Sequence, residues 1–210
     1  MVFRLDEKEI VFPHPSLAEE DGFLAVGGDL SPARLLLAYS NGIFPWYNEG
    51  DPIQWWCPKE RYIIRPENIH VSHSMIKFMK KHDIRIEYNR NFAATMHSCR
   101  VKREKTWITD DMETAYLRLH KLGYAQSVES WIDGQLAGGL YGVTIGKCFF
   151  GESMYTDLEN GSKLALIGLA KRLKAEQYRM IDCQFHTDHL ERMGGETVSY
   201  EEYMKLVRGE

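Results

Sequence analysis

Cysteine is scarce in this sequence, which has four in 210 residues. Cys57, Cys99, Cys148 and Cys183 lie far apart, and no Cys-x-x-Cys pair occurs. A disulfide framework or a zinc site built from cysteine pairs is therefore not predicted. Reduced thiols in a cytoplasmic protein are the simplest expectation.

Other features are also absent, and each absence excludes a class of protein. No apolar run approaches membrane-spanning length, and the start MVFRLDEKEI lacks the basic start and apolar stretch of a secretory signal. No Gly-x-Gly-x-x-Gly or P-loop motif occurs, and no Ser or Cys lies in a nucleophile elbow. Histidines and a cysteine recur at three-residue spacing near positions 70 and 186, but no set completes a metal site. We expect neither a metal nor another cofactor, and no membrane association.

Charge is unevenly distributed along the chain. The net charge is −4, yet the segment from Lys77 to Lys105 holds nine Lys or Arg against three Asp or Glu, a local charge of +6. The remainder therefore carries −10. This asymmetry indicates a basic face for a polyanion on an acidic body, and an ordinary solvated surface explains it equally well.

The order of elements predicts an α/β (α+β) fold. Capping patterns predict helix starts at Ser31-Pro32, at Ser72 or Ser74, near Asp110 and at Ser199. The runs VESWI, LAGGLYGV and KCFFGESMY alternate with turn signals, which predicts a three-strand meander. A helix over residues 162–176 then leads to the strand MIDCQF, so the last strand is expected to be parallel to the one before the helix.

Two acidic residues follow or interrupt apolar runs in this part of the chain. Gly151 inside a strand predicts a bulge or a close backbone approach, and Glu152 comes directly after it. Asp182 lies among Met, Ile and Cys, and Gln184 is predicted to share its strand face at a period of two. A carboxylate in a buried strand is either paired structurally or takes part in chemistry. Glu152, Asp182 and Gln184 together predict a site that handles an amine, and a plain structural anchor remains the alternative.

Several segments resemble the leucyl/phenylalanyl-tRNA–protein transferase family, in the same order and over nearly the whole chain. They are FLAVGGDLSPARLLLAYSNGIFPWY, TWIT with AYLRLHKLG, SVESW, GGLYGV, FFGESMY, NGSKLAL and IDCQ. The resemblance implies a small N-terminal domain, here residues 1–61, and an acetyltransferase-like (GNAT-type) domain, here residues 62–210, with a mixed, mostly antiparallel sheet. It implies transfer of Leu or Phe from aminoacyl-tRNA to a protein with N-terminal Arg or Lys, which marks that protein for degradation, without a cofactor.

The resemblance also implies roles for particular residues. Asp182 and Gln184 match the catalytic pair, with Glu152 as their acidic partner. The residues matching the apolar pocket for the Leu or Phe side chain are Leu140, Phe149, Met154 and Ile181. Trp46 and Trp107 match residues beside the aminoacyl end of the tRNA. The residues expected to contact tRNA phosphates are Lys77, Lys80, Lys81, Arg85, Arg100, Lys102, Arg103 and Lys105.

Some positions depart from the family pattern, and two other functions remain open. Gln126 stands where the family commonly has His, Tyr155 replaces Phe, and Thr197-Val198-Ser199 replaces a segment with Pro and Arg. An acyl-CoA-dependent N-acyltransferase of the same fold is one alternative, although TDLENGSK lacks the expected phosphate-cradling loop. A non-catalytic tRNA-binding module is the other, and it predicts salt-sensitive binding that ignores aminoacylation.

Overall fold

The computed structural model describes residues 2–102 and 106–210, which form two β-sheets with helices packed against them. The smaller sheet has the order β1-β2-β4-β3. Along the chain, a helix lies between its second and third strands. These elements are β1 (Phe3–Leu5), β2 (Phe23–Gly27), α1 (Pro32–Ser40), β3 (Phe44–Pro45) and β4 (Gln54–Trp56). The sequence predicted α1 but none of these four strands.

The larger sheet has the order β11-β5-β10-β9-β8-β7-β6. Its strands are β5 (Glu60–Ile64), β6 (Ile84–Tyr88), β7 (Ala125–Ile132), β8 (Gln135–Ile145), β9 (Cys148–Thr156), β10 (Met180–Asp182) and β11 (Glu196–Ser199). Every neighbouring pair is antiparallel except β9 and β10, which are parallel. The predicted meander, the parallel final strand and the mixed, mostly antiparallel sheet are confirmed, whereas β11 was not predicted.

Within the described ranges, all but one of the remaining α-helices begin where a capping side chain accepts a hydrogen bond from a backbone amide of the first turn; the exception is the helix that begins at Gly161. These helices are α2 (His73–Lys81), α3 (Phe92–Val101), α4 (Asp110–Lys121), α5 (Gly161–Ala175), α6 (Asp188–Arg192) and α7 (Tyr200–Arg208). The side-chain oxygens of Ser31, Ser72, Thr109 and Ser199 each accept a hydrogen bond from an amide three residues later. The predicted helix starts are therefore confirmed. None of the helices in the described ranges is long and apolar enough to cross a membrane.

Alternating strand residues divide the core between the two faces of the larger sheet. Along β9, Phe149 packs into one apolar cluster while Cys148 and Phe150 pack into the other. The first face carries residues of α2, α5 and α6, and the second carries residues of α1, α3, α4 and α7 with the smaller sheet. Because both faces are covered, the central strands are buried on both sides.

The smaller sheet ends at Trp56, and the larger sheet begins at Glu60. The boundary predicted between residues 61 and 62 therefore falls inside β5. The division into domains at 1–61 and 62–210 stays a prediction.

Candidate active site

A β-bulge places Glu152 at the edge of a gap in the larger sheet. In the β8–β9 ladder, Tyr141 faces Ser153 and Gly142 faces Gly151, so Glu152 is the extra residue. The irregularity predicted at Gly151 is confirmed. Bulges leave one residue out of the ladder and redirect its side chain, which is how β9 turns a carboxylate toward the site.

The gap itself exists because β10 is shorter than β9. The two strands pair as far as Asp182 and Phe150, after which β9 continues to Thr156. The strand β10 ends at Asp182, although the backbone of Cys183 and Gln184 still bonds to Tyr62 of β5, and Gln184 has a left-handed conformation with φ of 60°. The prediction that Gln184 continues the strand at a period of two is therefore wrong. The Gln184 backbone amide instead donates to Asp182 Oδ1 over 2.9 Å, which fixes the turn.

Asp182 is fully buried, and both of its carboxylate oxygens are occupied. Arg61 donates from Nε to Oδ1 at 3.0 Å and from Nη2 to Oδ2 at 2.8 Å. The Tyr203 hydroxyl donates to Oδ2 at 2.9 Å, and the Gln184 amide completes the set. Arg61 is also buried and donates from Nη1 to the Gly42 carbonyl at 2.8 Å. A buried carboxylate needs such pairing, and this one has no free lone-pair direction toward a substrate.

Glu152 has a different environment, because two hydroxyl groups hold it and no cation in the described part of the chain bonds to it. The Tyr39 hydroxyl donates to Glu152 Oε1 at 2.6 Å, and the Tyr116 hydroxyl donates to Oε2 at 3.1 Å. The two tyrosine hydroxyls also contact each other. Burial raises the pKa of the Glu152 carboxyl from an ordinary 4.5 to about 7, although the hydrogen bonds from Tyr39 and Tyr116 act in the opposite direction. Protein surrounds the side chain closely, and its partial exposure is to the adjoining cavity.

An apolar cavity of about 140 Å³ opens beside these carboxylates. The four residues predicted to form a pocket all line it: Leu140, Phe149, Met154 and Ile181. The helices α5 and α6 contribute Leu166, Leu169 and Leu190 to the same cavity. Glu152, Asp182 and Gln184 also lie along it, so the structure brings the predicted polar and apolar residues together.

A second cavity of about 320 Å³ adjoins the first and is lined by aromatic rings. It contains Trp46 and Trp107, together with Phe44 and Phe185. The two predicted tryptophans therefore lie in this outer cavity and not in the apolar one. The two cavities share four lining residues, which are Glu152, Cys183, Gln184 and Leu190. A molecule that spans both would pass directly over Glu152 and Gln184.

Comparison with known proteins matches this chain to one family over most of its length. The model of the leucyl/phenylalanyl-tRNA protein transferase family matches residues 63–208, and the model of that family's N-terminal domain matches residues 28–59. The chain belongs to this family. The resemblance drawn from the sequence motifs is confirmed, and the chain is an aminoacyltransferase.

Individual transferases are similar over nearly their full length. The leucyl/phenylalanyl-tRNA–protein transferase of Syntrophus aciditrophicus is 51% identical over 96% of this chain and 86% of its own. That of Syntrophobacter fumaroxidans is 48% identical over 98% of this chain and 89% of its own. Among solved structures, a tandem GNAT protein from the clavulanic acid biosynthesis pathway is 12% identical with a TM-score of 0.39, over 85% of this chain and 64% of that one.

The basic residues predicted to meet the tRNA of this transferase family lie on elements that pack on different faces of the larger sheet. Lys77, Lys80 and Lys81 lie exposed on α2, which packs on one face of the larger sheet. Arg100 and Lys102 lie at the end of α3, which packs on the opposite face. The two groups of basic residues therefore lie on elements that pack on opposite sides of the sheet. Their joint role in binding tRNA stays a prediction.

Several of these cations are also already paired. Arg100 pairs with Asp110 and Glu113, and Lys102 pairs with Asp157. Arg85 on β6 pairs with Glu87. The remaining two predicted contacts, Arg103 and Lys105, lie outside the described residues.

One cysteine, Cys183, lines both cavities, but its surroundings do not favour a nucleophile. Burial and the nearby Asp182 raise the pKa of the Cys183 thiol, so its reactive thiolate form is disfavoured. One trio of ligand-type side chains is close enough to hold an ion, namely His186, Asp188 and Glu191. All three are exposed, and exposed acidic groups of this kind are common without a metal.

Sequence reasoning missed the residues that hold the two carboxylates. Tyr39 and Tyr116 occur on ordinary apolar helix faces, so nothing in the sequence separates them from core residues. Tyr203 on α7 likewise cannot be distinguished from a core residue in the sequence. Arg61 could have been predicted to pair with Asp182. It comes directly before the apolar run YII, where a buried cation needs an anionic partner, and Asp182 is an anion in similarly apolar surroundings.

Proposed function

We propose that the chain transfers a leucyl or phenylalanyl group from aminoacyl-tRNA to the N-terminal amine of a protein that begins with Arg or Lys. The new peptide bond gives that protein a new N-terminal residue, which serves as a degradation signal in the cytoplasm. The observation that carries the proposal is the junction of the two cavities. An apolar cavity and an aromatic one meet at Glu152 and Gln184. An aminoacyl-tRNA end needs this arrangement, with its apolar side chain in one cavity, its terminal nucleoside in the other and its ester bond at the junction.

The apolar cavity suits a leucyl or phenylalanyl side chain. Its lining by Leu, Ile, Phe and Met side chains offers few polar partners, so a charged aminoacyl side chain would lose its hydration without compensation. Met154 adds a flexible side chain that can adapt to either a branched or an aromatic group. In the outer cavity, Trp46 and Trp107 present rings on which the terminal adenine can stack.

The reaction needs placement more than activation. An aminoacyl ester is already reactive, and an α-amine with a pKa of about 8 is appreciably neutral near pH 7. Holding the two reactants together in the right orientation can lower the activation barrier by roughly 7–11 kcal/mol. The amine nitrogen forms a bond to the ester carbonyl carbon, the bond to the ribose oxygen breaks, and the amine proton ends on that oxygen.

Gln184 is placed to assist the carbonyl group. Its side-chain nitrogen Nε2 is buried and has no hydrogen-bond partner among the described residues. A buried donor without a partner is costly, so a substrate oxygen is the natural acceptor for it. We assign Gln184 to the oxyanion that develops as the amine attacks. Asp182 is a positioning residue in this scheme, because its contacts hold the turn that carries Gln184.

The test is incubation of the protein with charged Leu-tRNA and peptides that begin with Arg, Lys, Asp or Glu. Transfer to the Arg and Lys peptides alone is the expected result. The variant Gln184→Gly keeps the left-handed backbone and removes the amide, and it should lose about 10²–10³-fold in kcat. Asp182→Asn should also be impaired. If transfer is undetectable for every peptide, or if Gln184→Gly stays within a few-fold of wild type, the corresponding assignment is wrong.

A further inference from the structure

The proposed reaction requires a group that accepts the proton of the attacking amine, and Asp182 is poorly placed for this. Both of its oxygens already receive hydrogen bonds from Arg61, Tyr203 and the Gln184 amide. It has no exposed surface at all. A proton could reach Asp182 only if this buried network broke, which would leave the Arg61 cation unpaired.

Glu152 has the access that Asp182 lacks. It is the one carboxylate that lines both cavities within the described part of the chain. Because it is the extra residue of the bulge, its backbone is outside the β8–β9 ladder and its side chain lies at the junction. Each of its oxygens receives one hydroxyl hydrogen bond, from Tyr39 and from Tyr116, so each retains a free lone-pair direction.

We propose that Glu152 accepts the proton from the attacking amine and returns it to the departing ribose oxygen, and that Tyr39 and Tyr116 are positioning residues that hold its carboxylate. This inference rests on the aminoacyl transfer proposed above. As the amine nitrogen bonds to the carbonyl carbon, one N–H proton passes to a Glu152 oxygen. As the carbon–oxygen bond to ribose breaks, the same proton passes to the ribose oxygen. Glu152 is ionised again at the end, and no other reactant is consumed.

The charges around Glu152 explain why its proton affinity suits this task. Arg61 on β5 and Asp182 on β10 face it as a closed ion pair, so their effects on Glu152 oppose each other. Tyr39 on α1 and Tyr116 on α4 supply neutral donors. The other titratable groups that line the cavity beside it are Tyr141 on β8 and Cys183 after β10. Burial, with no cation of the described residues bonded to the carboxylate, raises the pKa of the Glu152 carboxyl to about 7, close to that of an α-amine.

The first experiment measures kcat/KM for an Arg-initiated peptide between pH 5.5 and 8, with saturating Leu-tRNA. In the wild type, log kcat/KM should fall with slope one below pH about 8, where the amine gains a proton. It should fall with slope two below pH about 7, where Glu152 also gains one. Glu152→Gln should be about 10²–10⁴-fold slower and should keep slope one throughout. Persistence of slope two in Glu152→Gln would remove Glu152 from this role.

The second experiment tests the tyrosines. Tyr39→Phe and Tyr116→Phe each remove one hydrogen bond that favours the carboxylate, so the lower break in the profile should move upward by about one pH unit. Tyr88→Phe is the matched control, because its hydroxyl bonds the Gly168 carbonyl on α5 and does not contact Glu152. Its profile should match the wild type. Unchanged breaks in both folded test variants would show that the tyrosines do not position Glu152.

A direct titration separates this inference from the proposed function. Carbon-13 NMR of glutamate-labelled protein, assigned by comparison with Glu152→Gln, should show one carboxyl titrating near pH 7 and shifting upward in Tyr39→Phe. Absence of transfer in the wild type would overturn the proposed function and this inference with it. Transfer by the wild type with a Glu152 titration near pH 4.5 would overturn the inference alone.

Discussion

At the scale of single residues, the most consequential pair is Arg61 with Asp182. Their side chains are 1% and 0% exposed and lie 2.8 Å apart. Removing one partner of such a pair leaves a buried charge without compensation. We therefore expect Arg61→Met to lower the free energy of unfolding by about 3–5 kcal/mol, measured by urea denaturation.

A double variant distinguishes the charge from the packing. Arg61→Met with Asp182→Leu removes both charges and should recover much of the lost stability, because apolar replacements of buried ion pairs are often neutral. It should not recover transfer activity, because the turn that holds Gln184 loses its acceptor. If Arg61→Met alone costs less than about 1 kcal/mol, the pair is not the anchor described here.

The same scale shows what a sequence reveals about a site. Glu152 and Asp182 could be found because Glu152 follows an apolar run and Asp182 interrupts one, and burying a carboxylate has a high free-energy cost. Tyr39 and Tyr116 could not be found, since a tyrosine on an apolar helix face is usually a core residue. Their role depends on two helices that the fold brings to one carboxylate across 113 and 36 positions of sequence.

At the scale of elements, capping and turn residues predicted the helix starts and the strand meander, which depend on neighbours in sequence. The caps fixed the starts of α1, α2, α4 and α7, and the turn signals fixed the β7–β9 meander. The short strands of the smaller sheet and β11 were missed. Strands of two to five residues owe their pairing to neighbours far away in sequence, and no periodicity appears over so few residues.

The bulged β8–β9 ladder yields a prediction at this scale. A methyl group on Gly142 would overlap the Phe150 carbonyl oxygen and lie 2.6 Å from the Phe149 ring, which lines the apolar cavity. On Gly151 it would lie 3.3 Å from the nearest atom, the Asp182 carbonyl oxygen. Gly142→Ala should therefore cost about 1–3 kcal/mol of stability and raise KM for Leu-tRNA.

Gly151→Ala is the matched control, because it adds the same methyl group to the facing strand. Its cost should stay below about 1 kcal/mol, since a small shift relieves the contact. Thermal unfolding and Leu-tRNA titration of both variants decide the question. Equal effects of the two substitutions would contradict the packing argument.

At the scale of the whole molecule, the larger sheet separates two sets of basic residues that are close in sequence. The cluster on α2 is exposed, and no ion pair to its three lysines was found within the described ranges. The cations at the end of α3 are paired with acids. Composition showed that a basic segment exists, but only the fold shows that α2 and α3 pack on opposite faces.

This separation predicts where tRNA binding depends on salt. Each phosphate contact contributes about 0.7–0.9 to the slope of log K against log salt concentration. Replacing Lys77, Lys80 and Lys81 with Ala should flatten that slope by about two, measured by filter binding of Leu-tRNA. Arg100→Ala should change this slope little, because its charge is already engaged by Asp110 and Glu113.

A control that replaces the exposed Lys171 and Lys174 of α5, which lie outside the basic segment, removes two charges and should leave the slope near that of the wild type. If the α2 variant and this control flatten the slope alike, net charge and not the α2 cluster governs binding.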